Sequence, residues 1–169
     1  AGVGFGGENA LAHAFELAAA GHRYGVGDFG YLVAHATGTR TNSKTDLAIA
    51  ASGRRLAAAR AGREGALPAM AVGTPKAVGD GHTMGETGLK AVAQAIGYLL
   101  GEASVGVPTL RTLDPELGAV AEQFELSSKL VVGDSDGGAI CSTQGFGGYN
   151  GAVALKAANS ATISRYGIE

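Results

Sequence analysis

The chain alternates two kinds of segment. Stretches with apolar residues at helical spacing are separated by short apolar runs, and glycine-rich loops stand between them. Leu11, Ala14, Phe15 and Ala18 repeat at i, i+3, i+4, i+7 across residues 9–20, with Asn9 available as an N-cap and Gly21 as a stop. The run "FGYLVAHA" at 29–36 suits a buried strand. A second helix is expected from Ser43 to Arg60, with Leu47, Ala50, Ala51 and Ala58 inward and Arg54, Arg55 and Arg60 on a solvated face. "AMAVG" at 69–73 predicts another buried strand, and Leu89, Val92, Ala93, Ile96 and Leu99 or Leu100 form the cleanest amphipathic pattern in the sequence. The later segments "KLVVG", "GAICSTQ" and "AVALKA" read as strands, the last two joined by "GFGGYN" as a closing hairpin. Such alternation constrains the chain to a layered α/β domain whose mixed sheet is covered by helices.

Composition narrows the function. With 169 residues, 46% hydrophobic and 17% charged, the chain can bury the core of one globular domain. Its net charge of −2, without a block of basic residues, gives no footprint for nucleic acid or an anionic membrane surface. There is no long apolar span and no secretory signal pattern. Cys141 is the only cysteine, which excludes an internal disulfide and a multi-thiolate zinc site. A reducing cytoplasm is the simplest expected compartment.

Three polar clusters fall at strand ends, where open α/β sheets build their sites. They are His35 to Asp46, Lys76 to Gly88, and the loop GFGGYN at 145–150. Taken alone, His35 could be a half-buried histidine satisfied by backbone. His82 stands just ahead of the amphipathic helix, and would meet His35 if the two preceding strands are neighbours. Two histidines without carboxylates or thiols at metal spacing make a poor metal site. They make a good pair of hydrogen-bond donors to a developing oxyanion, provided that each second ring nitrogen is held. Lys76 is a candidate holder, and an ordinary surface lysine is the alternative.

Other motifs fail. Gly-x-x-x-x-Gly-Lys-Ser/Thr is absent from the glycine loop before the helix, and "GVGFGG" at 2–7 has its third glycine misplaced for a dinucleotide fingerprint. Cys141, inside an apolar run, lacks the electropositive setting of a reactive thiol and is expected to be inert packing.

In order along the chain, "HATGT" at 35–39, Lys76 followed by "GHTMGETG" at 81–88, "VPTLRTLDPE" at 107–116 and "GFGGYN" resemble the C-terminal half of the β-ketoacyl synthases. These are condensing enzymes of fatty acid and polyketide synthesis with the thiolase fold. The resemblance covers residues 8 to about 157. It implies that His35 and His82 bind a malonyl thioester carbonyl and stabilise the enolate formed as CO₂ leaves, while Lys76 holds their hydrogen-bond network. Phe146 would supply its N–H to the oxyanion hole and its ring as a gate. Thr37, Thr39, Asp46, Gly145 and Gly147 would support the site. Neither a metal nor an organic cofactor is implied.

The implied partners are acyl carrier protein bearing malonyl and acyl groups, the cysteine-bearing N-terminal half of the same enzyme, and a further copy in a homo-oligomer. Ala36 replaces the first glycine of the family's His-Gly-Thr-Gly-Thr pattern, and Asp46 stands where the family has Glu. The spacing from Lys76 to His82 is one residue longer than in the family. No nucleophilic cysteine precedes the first helix, so the chain alone is expected to be inactive, as a fragment or one partner of a split acyltransferase. The alternative is a non-catalytic partner resembling a chain-length factor. A thiolase or hydrolase relative is disfavoured because Cys141 does not sit in the Cys-x-Gly setting of a second catalytic cysteine.

Overall fold

The computed structural model describes residues 7–19, 25–38, 40–63, 65–77, 81–145, 149–158 and 163–164. Among the described residues, the α-helices α1 (Gly7–Ala19), α2 (Arg40–Arg60) and α3 (Thr87–Leu99) pack on a five-stranded sheet. Its strands are β1 (Phe29–Val33), β2 (Met70–Gly73), β3 (Phe124–Glu125), β4 (Gly138–Gln144) and β5 (Asn150–Lys156), in the order β3-β2-β1-β4-β5. β1 runs parallel to β2 and β4, β2 runs parallel to β3, and β5 returns antiparallel to β4. The chain is therefore a mixed α/β fold.

Each face of the sheet has its own core. On one side, Leu11 and Phe15 of α1 and Leu47, Ala50, Ala51 and Ala58 of α2 pack with Phe29, Leu32, Met70, Val72 and Ile140. Full burial of a side chain such as Leu11 or Phe15 contributes about 1.5–3 kcal/mol. α1 and α2 approach so closely that a Cβ on Gly53 would lie 2.8 Å from Leu11 Cβ and 2.9 Å from the Glu8 carbonyl. On the other side, Ala91, Ala95, Tyr98 and Leu99 of α3 pack with Tyr31, Val33, Ala71, Ala139 and Cys141. Phe29 and Tyr31 belong to opposite cores although two residues apart, because the β1–β4 register shifts between them. Phe29 meets Phe15 edge-on at 5.1 Å, whereas Tyr31 stacks on Tyr98 at 4.6 Å.

Several expectations are corrected. Asn9 lies inside α1, which starts at Gly7, and is not its cap; Gly21 and the glycines at 2–6 lie outside the described residues. The first strand ends at Val33, leaving Ala34 to Ala36 as loop. "KLVVG" forms only an isolated antiparallel bridge between Val131 and Ser104, while the two-residue β3 takes the sheet edge. Arg54 is not solvated but 1% exposed, donating to the Gln123 and Pro68 carbonyls at 3.0 and 2.6 Å.

The largest correction concerns α3. The sheet takes its small-residue face, Ala91 and Ala95, which permits close approach beside the Tyr31–Tyr98 stack. Of the expected apolar stripe, Leu99 is buried and Val92 packs against this core, whereas Leu89, Ile96 and Leu100 face outward at 74%, 47% and 67% exposure.

Candidate functional site

Parallel pairing of β1 with both β2 and β4 brings three strand ends to one edge. Each delivers a polar residue there. His35 follows β1, Lys76 lies in the 3₁₀ turn Pro75–Ala77 after β2, and Gln144 ends β4. The start of α2 adds Asp46. His82 arrives through Gly81, whose φ of 70° favours a residue without Cβ, and a 3₁₀ turn (Met84–Glu86) then leads into α3. Two non-glycine residues in the described structure have positive φ, Ala36 at 36° and Met84 at 54°. They flank the histidines, so local backbone strain collects at this edge.

The two imidazoles meet edge to face, with centroids 5.5 Å apart. His35 is 4% exposed, while His82 is open to solvent. Lys76 Nζ lies 2.9 Å from His35 Nδ1 and also donates to the His35 carbonyl oxygen. An ammonium has only hydrogens to give, so His35 Nδ1 accepts and the ring proton resides on Nε2. Burial, then the Lys76 charge and His82, push His35 down to about 4, which keeps it neutral at physiological pH. A neutral imidazole donor is the form suited to an oxyanion.

Asp46 sets the electrostatics from beneath. Its Oδ2 accepts the Ala36 N–H at 2.6 Å and its Oδ1 accepts Gln144 Nε2 at 2.9 Å. Burial raises its pKa to about 6 against the lowering effects of these bonds and Lys76. Among the described residues it makes no hydrogen bond or ion pair with Lys76, and acts on it only through space. Lys76 is lowered to about 8 by burial, with Asp46 opposing the shift.

These shifts predict a pH dependence of stability. The folded chain releases the Lys76 proton near pH 8 and the unfolded chain near 10.5, so the unfolded state binds more protons between them. Stability therefore rises with pH across that window. Urea titrations at about pH 7.5 and about pH 10 are expected to show this gain in the wild type, and a smaller one in Lys76→Met. On the acid side the two buried groups oppose each other. Asp46, raised from 3.8 to about 6, loses stability as pH climbs through that range, whereas His35, lowered from 6.5 to about 4, gains it.

Of the other expected site residues, Thr37 is half-buried just past His35, and Gly145 N–H donates to the Tyr149 carbonyl at 2.7 Å to close the β4–β5 hairpin. Phe146, Gly147 and Thr39 lie outside the described residues. Cys141 is buried in mid-strand, its thiol pushed up to about 12 by burial, and provides no nucleophile. No group of three or more His, Cys, Asp or Glu among the described residues could hold a metal ion. No protein-family model matches the chain, and no curated protein matches it significantly. Nor is any helix among the described residues long and apolar enough to cross a membrane.

Two residues escaped sequence reasoning. Gln144 grips Asp46, and Thr87, 5% exposed, meets His82 Nδ1 through its hydroxyl at 3.1 Å. A signal for Thr87 was present in its spacing of five residues from His82 at the mouth of a helix. Gln144 was legible only as a polar residue closing an otherwise apolar strand. A cavity of about 720 Å³ also adjoins Asp46, with Leu47, Val72, Val107 and Leu110 in its wall. Neither histidine nor Lys76 lines it, so the cavity and the histidine pair are separate features of this edge.

Proposed function

We propose that this chain is the C-terminal half of a thiolase-fold β-ketoacyl-acyl-carrier-protein synthase and supplies its malonyl-decarboxylation site. The observation that carries the reading is the pairing of His35 with His82, with Lys76 holding His35 Nδ1 so that the ring proton sits on Nε2. Both imidazoles would bind the carbonyl oxygen of a malonyl thioester presented by acyl carrier protein. The bond from the α-carbon to the carboxylate breaks, CO₂ leaves, and the electron pair enters the enolate whose oxygen the two N–H groups stabilise. This is stabilisation of charge that develops in the transition state. The enolate carbon then attacks an acyl thioester on the cysteine of the other half, forming the carbon–carbon bond as the cysteine thiolate leaves. Release of labelled CO₂ from malonyl-acyl carrier protein by the protein containing both halves tests the reading. Absence of release overturns it.

The outward stripe of α3 gives separate support. Leu89, Ile96 and Leu100, with Ala93 between them, follow one helical line opposite the buried face. A thiolase-like partner half would cover this stripe and turn α3 into an internal layer. Left uncovered, such a surface associates with itself. The 169-residue chain is therefore expected to sediment as dimers or larger species, and Ile96→Glu is expected to shift it toward monomer with helical content unchanged. A clean wild-type monomer at high concentration would count against a half-enzyme.

The non-catalytic partner reading is less favoured. A subunit that only shapes a pocket has no use for a lysine holding one imidazole in a donor tautomer, yet that arrangement is present.

A further inference from the structure

We propose that Thr87 is the positioning residue that holds His82 with its proton on Nε2. This rests on the role of His82 as an oxyanion donor. Thr87 opens α3, and its backbone N–H is already committed to the Met84 carbonyl. Its hydroxyl lies 3.1 Å from His82 Nδ1 and makes no other side-chain hydrogen bond among the described residues. A hydroxyl always has one hydrogen to give, and at 5% exposure Thr87 has little access to water. If His82 Nδ1 carried the proton and donated to Thr87, the threonine hydrogen would be a buried donor without an acceptor. The reverse arrangement satisfies both groups. Thr87 donates, Nδ1 accepts, and Nε2–H remains for substrate.

The two imidazoles thus reach the same tautomer by different means. Lys76 imposes it on His35 with a charge, and Thr87 imposes it on His82 with a neutral hydroxyl. The hydroxyl does not titrate in the working range, so its hold on His82 outlasts the loss of the Lys76 proton at alkaline pH. The two rings meet because β1 and β2 are neighbours, and α3 then begins where the second loop ends.

Long-range ¹H–¹⁵N spectra of the chain labelled in its histidine rings test this directly, with the His82 signals identified by their loss in His82→Gln. The expected wild-type pattern has His82 Nε2 protonated and Nδ1 bare. Thr87→Ser keeps it, and the isosteric Thr87→Val converts it to a mixture of tautomers. A wild-type Nδ1–H signal overturns the proposal, as does a Thr87→Val spectrum identical to wild type. In the protein containing both halves, Thr87→Val is expected to lower kcat for decarboxylation at least about tenfold with KM little changed, and Thr87→Ser to restore it. A locked tautomer in a wild-type protein that releases no CO₂ overturns the condensing-enzyme reading while supporting the role of Thr87.

Discussion

On the proposed condensing-enzyme reading, replacing His82 with alanine is expected to lower malonyl decarboxylation by about 10²–10³-fold in the protein that contains both halves, the usual loss when one preorganised oxyanion donor is removed. The chain should remain folded, because His82 is solvent-exposed and its ring contact with His35 and hydrogen bond with Thr87 lie at the edge of the sheet rather than in its core. KM for the malonyl thioester should change far less than kcat, since the lost bond strengthens only as charge reaches the oxygen. His82→Gln, which retains a donor on a side chain of different shape, should recover part of the loss. Steady-state CO₂ release alongside circular dichroism separates these outcomes. Wild-type rates in His82→Ala would remove His82 from the mechanism.

The largest expected stability effect lies far from the site, at Arg54. Its guanidinium is fully buried, lies 5.9 Å from the centre of the Phe124 ring, and donates to two backbone carbonyls that flank β3 and β2. Burial lowers its pKa, and its Nε has no partner among the described residues. Arg54→Ala removes two charge-assisted bonds, strands both carbonyls and opens a large cavity, for an expected loss of about 3–5 kcal/mol. Arg54→Lys should also destabilise, because a single ammonium does not reproduce the planar fork that reaches Gln123 and Pro68 together. Urea denaturation checks both, and a loss below about 1 kcal/mol in Arg54→Ala would show that the fork holds nothing in place.

Arg54 also marks where sequence reasoning stopped. Local periodicity located α1 and α2 and their inward residues, because Leu11, Phe15, Leu47 and Ala51 repeat at spacings that only one helix face can satisfy. An arginine on that same face reads as solvated until its acceptors are known, and those lie 14 and 69 residues away. α3 shows the complementary failure. Val92 and Leu99 of its apolar stripe do meet the sheet, but periodicity does not say which neighbour takes each apolar residue, and the closest approach is made by Ala91 and Ala95 while Leu89 and Ile96 stay outside. β3 is too short to carry any pattern.

At the site, His35, Lys76 and His82 were legible as polar residues at strand ends, and the parallel pairing of β1 with β2 brings them together. The direction of Lys76 toward His35, rather than toward His82, was not legible. It depends on how the turn Pro75–Ala77 leaves the sheet. Thr87 and Gln144 were hidden for the same reason, since a threonine at a helix start and a glutamine at a strand end have many uses.

The sheet order has a consequence for how this edge comes into existence. β1 lies between β2 and β4, and the bond from Gln144 to Asp46 spans 98 residues. Contacts of such sequence separation form late and slowly, because the entropy of closing a long loop must be met before any contact rewards it. A nascent chain that ends before residue 144 can build the layer of α1 and α2, but it leaves β1 with an open side and Asp46 without one of its donors. The histidine pair needs only the earlier pairing of β1 with β2, whereas the grip of Gln144 on Asp46 beneath it waits until the fourth strand is in place.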